Sequence, residues 1–106
     1  MSKEFRINKL KELKELNPKD PFPIYGLALE FIEQNHSEAE CYFLELMDNF
    51  PDYLPSYYHY GQLLVAQGDL LKATTIYRAG ILLAEKQHDL KTKAELATAL
   101  LDIEDE

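Results

Sequence analysis

The sequence predicts an all-α protein built from repeated helical hairpins. One pattern of large and small residues at helical spacing occurs twice in the middle of the chain, at a shift of about 34 residues, and internal periods of about this length are typical of stacked helical hairpins. Proline, glycine and asparagine signals also divide the chain into segments of helical length. Because a chain of 106 residues buries enough surface for one core and not two, we expect a single domain over residues 1–106.

The repeated pattern has one part for each helix of a hairpin. The first part is the series Ile24, Leu27, Ala28 and Phe31, which recurs as Tyr57, Tyr60, Gly61 and Leu64. The second part is the series Ala39, Phe43, Leu46 and Pro51, which recurs as Ala73, Tyr77, Gly80 and Glu85. This pattern resembles the tetratricopeptide repeat, and the chain is similar to a small bacterial-type member of that family. The resemblance implies a superhelical array with repeats at residues 21–53 and 54–87.

A helix over residues 2–17 is predicted before the first repeat. Ser2 can cap its start, and the Asn17 and Pro18 pair ends it, because the residue before a proline is biased away from the helical conformation. Pro18 lies one repeat period before Pro51. The opening helix therefore corresponds to the second half of an incomplete repeat.

The first repeat has its own helix boundaries. Asp20 can cap the first helix, with Pro21 at the first helical position, where a missing N–H costs nothing. Asn35 is predicted to end that helix in the left-handed conformation. Ser37 and Glu40 have the spacing of a capping box and predict the start of the next helix. The inner turn is one residue shorter than the turn of the second repeat.

Glycine and aspartate mark the boundaries in the second repeat and after it. Gly68 is predicted to end the first helix of the second repeat, and Asp69 to cap the second helix. Asp89 can cap a last helix over residues 89–103. This helix has an apolar face and an otherwise polar surface, as expected of a capping helix at the end of an array.

The resemblance implies that the first helices of the repeats line a concave groove that binds a protein segment. The positions that correspond to groove residues are Phe22, Tyr25, Leu29, Ile32, Tyr58, His59, Gln62 and Val65. Tyrosine is common in protein interfaces because it offers a large contact area at a low entropy cost. Family members that clamp the acidic tails of chaperones use lysine and asparagine in the groove, whereas this chain has Tyr25, Leu29 and His59 there. A chaperone-tail clamp is therefore not expected.

The distribution of charge excludes some classes of partner. The formal net charge is −8, and residues 20–71 contain nine Asp or Glu and no Lys or Arg. Because phosphate binding needs clustered basic side chains, neither nucleic acid nor an anionic membrane is expected as a partner. The acidic middle either serves solubility or steers a protein segment with basic and apolar residues.

The sequence has few signals for chemistry. His36 and Glu40 lack a third metal ligand at a recognisable spacing, and His36 is predicted to lie in the turn before its helix. Cys41 has no basic neighbour in sequence and is predicted to be a small packing residue. The four glycines stand apart, so no phosphate loop is formed. We expect no catalytic activity, no cofactor and no metal.

The sequence therefore predicts a non-catalytic adaptor for protein–protein interaction. The start of the chain has no secretory apolar segment, and with one cysteine the cytoplasm is the expected compartment. Two alternatives stay open. In the first, the protein forms a homodimer through its end helices or through the apolar stripe of the groove positions in the first repeat, which consists of Phe22, Tyr25, Leu29 and Ile32. In the second, a terminal helix folds over this stripe and covers it.

Overall fold

A computed structural model describes residues 2–104 of the chain, and these residues form six α-helices without a strand. The helices are α1 (Lys3–Leu16), α2 (Phe22–Phe31), α3 (His36–Asn49), α4 (Pro55–Ala66), α5 (Leu70–Lys86) and α6 (Leu90–Glu104). The chain divides into two compact units, Met1–Tyr53 and Leu54–Glu106. The single domain over residues 1–106, with repeats at residues 21–53 and 54–87, stays a prediction. The predicted all-α helical repeat array is confirmed.

The N-terminal unit consists of the hairpin of α2 and α3, with α1 packed against α2. Most of its buried apolar residues lie at the repeated positions of the hairpin: Ile24, Leu27, Ala28, Ala39, Phe43 and Leu46. Pro23 is also buried, whereas Phe31 at the fourth repeated position of α2 is only partly buried. None of the residues of α1 is buried. Leu10 of α1 lies against Gly26 of α2, so the absence of a side chain at Gly26 lets the two helices approach.

The C-terminal unit consists of the hairpin of α4 and α5, with α6 packed against α5. Large and small residues alternate where its helices cross. Gly61 of α4 lies against the ring of Tyr77, and Gly80 of α5 lies against Tyr57 and Leu96. Leu96 is the buried residue of α6. The repeated pattern of large and small residues therefore predicts the contacts inside the hairpin.

Most of the predicted helix starts and ends are confirmed. The side chain of Ser2 accepts a hydrogen bond from the N–H of Phe5, and Asp69 accepts one from Lys72. Asp89 accepts two hydrogen bonds from Thr92, one from its N–H and one from its hydroxyl. Both bonds favour the ionised carboxylate, and they lower the pKa of Asp89 below its ordinary value.

The predicted turn of the first repeat is wrong. Asn35 has a φ of −149°, which is extended rather than left-handed, and its side chain caps α3 by accepting from the N–H of Glu38. His36 is the first residue of α3 and Ser37 lies inside the helix, so the predicted capping box does not begin this helix. Asn35 lies one repeat period before Asp69 and has the same role. The missing residue is the counterpart of Gly68.

Two smaller expectations also differ from the structure. Pro21 precedes the first residue of α2, and Asp20 accepts a hydrogen bond from the N–H of Phe22. Cys41 is exposed, so its predicted packing role is wrong. Cys41 lies two residues from both Ala39 and Phe43, which are buried. A step of two residues turns a side chain by about 200° around the helix, away from the face that packs.

Candidate functional site

Three of the predicted groove residues lie along one face of α4. Tyr58, Gln62 and Val65 have the spacing i, i+4 and i+7, which aligns side chains on a helix. The amide of Gln62 donates a hydrogen bond of 3.3 Å to the hydroxyl oxygen of Tyr58. This bond orients two polar groups on an otherwise apolar stripe.

The C-terminal helix supplies an opposite wall. Ala99, Asp102 and Ile103 of α6 have the spacing i, i+3 and i+4 and lie across from the α4 stripe. Together with Ala66 and Tyr77 they enclose an open depression of about 340 Å³. We call this depression the α4–α6 cleft. It lies entirely within the C-terminal unit, and α6 forms one of its sides.

The cleft combines apolar walls with a few polar groups. Burial is the main cause that raises the pKa of Tyr77 to about 12, and the nearby Tyr58 and Asp102 contribute to the same increase by disfavouring a further negative charge. Tyr77 therefore stays a neutral hydroxyl at physiological pH. Asp102 is the acidic residue of the lining. The cleft can thus accommodate an apolar side chain and accept hydrogen bonds from N–H groups or a cation.

His59 does not line the α4–α6 cleft. Its ring stands edge-on to the ring of Tyr58, with the ring centres 5.5 Å apart. Burial lowers the pKa of His59 below its ordinary value, because removing an imidazolium from water is costly. The histidine is therefore neutral at neutral pH and supports the position of Tyr58.

The predicted groove residues of the first repeat lie in the N-terminal unit, three of them on α2 and Ile32 at the C-cap of that helix. Phe22 is exposed, whereas Tyr25, Leu29 and Ile32 are partly buried. The ring of Tyr25 meets the ring of Tyr53 edge to face at 5.5 Å, and burial raises the pKa of Tyr25. A ring held in this way is pre-oriented. The assignment of these four residues to a binding surface stays a prediction.

The sequence reasoning missed the half of the cleft that α6 provides. Tyr77 is correctly predicted as a buried residue, and it also lines the cleft. Ala99 and Ile103 are apolar residues four apart on α6, and this spacing is the signal that could have indicated a second face. The prediction treats α6 only as a cap, because its strongest apolar face packs on the array.

Part of the acidic middle is already paired within the N-terminal unit. Arg6 of α1 forms an ion pair of 2.7 Å with Glu30 of α2, and its hydrogen bond lowers the pKa of Glu30. Lys14 of α1 forms a second ion pair of 3.2 Å with Glu45 of α3. The basic opening helix therefore offsets some of the negative charge that the sequence places in the first repeat.

Two further observations on the described residues concern metal binding and membrane spans. Among residues 2–104, no three His, Cys, Asp or Glu side chains come together as they would around a metal ion. None of the helices in this range has the length and apolar character needed to cross a membrane.

Comparison with known proteins shows a similarity in both fold and sequence. The chain is similar to a tetratricopeptide repeat domain protein from Salinibacter ruber. Its crystal structure has a TM-score of 0.76 at 37% identity, and the match covers 80% of this chain and 97% of that chain. The solution NMR structure has a TM-score of 0.78 at 38% identity, with 82% and 89% covered. No family model matches the chain, and neither does any curated protein.

Proposed function

Because the chain belongs to the tetratricopeptide repeat family, we propose that it is a non-catalytic adaptor that binds a segment of another protein in the α4–α6 cleft. The observation that supports this proposal is the convergence of Tyr58, Gln62 and Val65 with the three α6 residues around one depression. Concave sites with apolar walls and a few oriented polar groups are typical of ligand sites. Repeat proteins of this kind use such concave surfaces for binding.

The lining specifies the chemistry of the bound segment. An apolar side chain of the partner would pack against Val65, Ala99 and Ile103, and a Lys or Arg beside it would pair with Asp102. The net charge of −8 favours the approach of a basic segment over long distances. Phe22, Tyr25, Leu29 and Ile32 are proposed as further contacts on the N-terminal unit. We propose that the protein lies in the cytoplasm, because a single cysteine is consistent with a reducing compartment.

The proposed binding site can be tested with a substitution that fills the α4–α6 cleft. Peptides would be selected from a random displayed library against the full chain, and their affinities measured by fluorescence anisotropy for wild type, Ala99→Arg and Ala79→Arg. Ala99 lines the cleft, whereas Ala79 is an exposed residue of α5 outside the lining. We expect Ala99→Arg to weaken binding by roughly tenfold or more, a loss of at least about 1.4 kcal/mol, because the long side chain occupies the depression. Ala79→Arg should leave the affinity unchanged.

Two readouts separate this proposal from binding elsewhere. Amide chemical shifts of the labelled protein should change on α4 and α6 when a selected peptide is added. Circular dichroism should show the same helix content and unfolding midpoint for both variants. Peptides that bind Ala99→Arg as tightly as wild type would place the binding surface outside the cleft.

A further inference from the structure

The fixed charge of the α4–α6 cleft is negative. Among the described lining residues, Asp102 is the one with a charged side chain. Residues 55–66 of α4 contain no Lys, Arg, Asp or Glu, and residues 94–104 of α6 contain the acids Glu95, Asp102 and Glu104 and no base. A cation is therefore the ligand group whose charge is complementary to this lining.

The carboxylate of Asp102 is open to such a cation. Asp102 is exposed and forms no ion pair with a residue that the structure describes. Two basic residues of the same unit pair with other acids instead. Arg78 of α5 lies 3.7 Å from Glu104, and Lys93 of α6 lies 3.5 Å from Glu85. A bound segment can therefore bring its own cation to Asp102 without breaking an ion pair.

Two tyrosines lie beside this carboxylate. Tyr77 lines the cleft, and both Tyr58 and Asp102 help to raise the pKa of its phenol, so both groups lie close to it. Tyr58 is half-buried, and its hydroxyl oxygen accepts a hydrogen bond from Gln62. Its ring also meets the ring of His59 edge-on. These contacts orient an aromatic ring at the cleft, and such rings attract cations that lie within about 6 Å of the ring centre.

The remaining described lining is apolar and consists of Val65, Ala66, Ala99 and Ile103. A small cation in water would gain nothing from these side chains. A long basic side chain does gain, because its methylene stem packs along apolar surface while its charged end reaches a polar group. Apolar walls together with one carboxylate therefore favour the side chain of an arginine or a lysine.

The aromatic part of the lining favours arginine over lysine. A guanidinium group is planar and weakly hydrated, so it can stack on an aromatic ring while its N–H groups donate to a carboxylate. The ammonium group of lysine is compact and strongly hydrated, and it gains less from a ring that lies beside an exposed carboxylate. The two basic residues are therefore not equivalent ligands for this cleft.

We propose that the α4–α6 cleft recognises an arginine of the bound segment, with the guanidinium against the ring of Tyr58 and its N–H groups on the carboxylate of Asp102. This inference rests on the proposed function and narrows it, since it makes one basic residue the determinant of specificity. The apolar neighbour of this arginine keeps its place against Val65, Ala99 and Ile103.

The arginine can be tested with a selected peptide whose binding is weakened by Ala99→Arg. The peptide would be synthesised with each arginine replaced by lysine or by alanine, and its affinity measured by fluorescence anisotropy. At the recognised position, we expect alanine to weaken binding by about tenfold and lysine by about threefold. Asp102→Asn should weaken binding of the arginine peptide by about threefold to fivefold and leave that of the alanine peptide unchanged.

A matched variant controls for net charge. Glu95→Gln removes the same charge from an exposed residue of α6 outside the lining, and it should bind the arginine peptide as wild type does. Tyr58→Phe keeps the ring and should keep the preference for arginine over lysine, whereas Tyr58→Leu should abolish it. Circular dichroism checks that each variant has the helix content of wild type.

The possible failures are distinguishable. Peptides that Ala99→Arg weakens but that bind equally well with lysine would overturn the arginine proposal and leave the proposed binding site intact. Equal losses for Asp102→Asn and Glu95→Gln would also overturn it, because the effect would then come from net charge alone. Peptides that bind Ala99→Arg as tightly as wild type would overturn the binding site itself.

Discussion

At the scale of single residues, glycine decides how closely the helices approach. A Cβ placed on Gly61 would lie 2.6 Å from Cζ of Tyr77 and closer still to Cε1, and Tyr77 is a buried ring held from several sides. A Cβ placed on Gly26 would lie 2.9 Å from Cδ2 of Leu10. That atom is the end of a flexible and partly exposed side chain. The two helical glycines therefore differ in what a methyl group would displace.

Replacing each of these glycines by alanine should therefore affect stability differently. We expect Gly61→Ala to lower the free energy of unfolding by about 1–2 kcal/mol, because overpacking costs about 1–3 kcal/mol and exceeds the gain of up to about 1 kcal/mol in helix propensity. Gly26→Ala should leave it unchanged or raise it by up to about 1 kcal/mol, since Leu10 can turn aside. Urea unfolding followed by circular dichroism measures both. Equal losses in the two variants would contradict the packing explanation.

At the scale of elements, the turns are set by hydrogen bonds at the helix ends. After α4, Gly68 adopts a φ of +81°, and after α5, His88 adopts a φ of +58°. In both turns the next residue is an aspartate whose N–H bonds back to the helix, Asp69 to the carbonyl of Leu64 and Asp89 to that of Ala84. A left-handed residue followed by this bond is the Schellman motif.

The shorter turn after α2 uses other bonds. The N–H groups of Gln34 and Asn35 both donate to the carbonyl of Phe31, at 3.2 and 2.9 Å. With one residue fewer there is no position for a left-handed residue before the cap. The side chain of Asn35 is then required at the start of α3, and this requirement overrides the ordinary tendency of asparagine to end helices.

The role of Asn35 gives a prediction that separates it from Ser37. We expect Asn35→Ala to lower the free energy of unfolding by about 1 kcal/mol, the usual cost of losing an N-cap side chain. Ser37→Ala should be neutral or slightly stabilising, because Ser37 lies inside α3 and alanine is the better helix former. Thermal or urea unfolding of the two variants compares them directly. A larger loss for Ser37→Ala would show that Ser37 begins the helix after all.

At the scale of the whole molecule, the tyrosines of both units couple stability to alkaline pH. Burial is the main cause that raises the pKa of Tyr25, Tyr42 and Tyr53 in the N-terminal unit and of Tyr77 in the C-terminal unit, where it reaches about 12. A phenol with a raised pKa in the folded state binds its proton more tightly there than in the unfolded chain. Its contribution to stability is complete below about pH 10 and is lost as the pH rises through the folded value.

We therefore expect the protein to lose stability progressively between about pH 10 and pH 12, and the excess of negative charge adds to the loss. Far-ultraviolet circular dichroism against pH would follow the helices, and phenolate absorbance would follow the tyrosines. Tyr77→Phe should remove the phenol that ionises last and make the remaining titration end earlier. A titration that is the same with and without Tyr77 would contradict its assignment as the most strongly shifted group.

The sequence by itself determined the class of fold and nearly all of its elements. The repeat period, the pattern of large and small residues and the caps at Ser2, Asp69 and Asp89 are all legible along the chain. The capping side chains and the pattern of large and small residues each extend over one or two helical turns, and they recur at the repeat period. All of these signals can therefore be recognised in the sequence without knowledge of distant contacts. The positions of Tyr58, Gln62 and Val65 on one face of α4 follow from helical spacing in the same way.

The tertiary structure alone decided what those faces meet. Ala99, Asp102 and Ile103 complete the α4–α6 cleft from a helix that is separated from α4 by the whole of α5, and Arg6 of α1 pairs with Glu30 of α2. The exposure of Leu16 and Leu90 likewise depends on which helices are present beside them. Helical periodicity identifies which residues share a face of a helix, but it does not identify the surface that packs against this face. The reason is that hydrophobic burial is non-directional, so any apolar surface of suitable shape can cover the face.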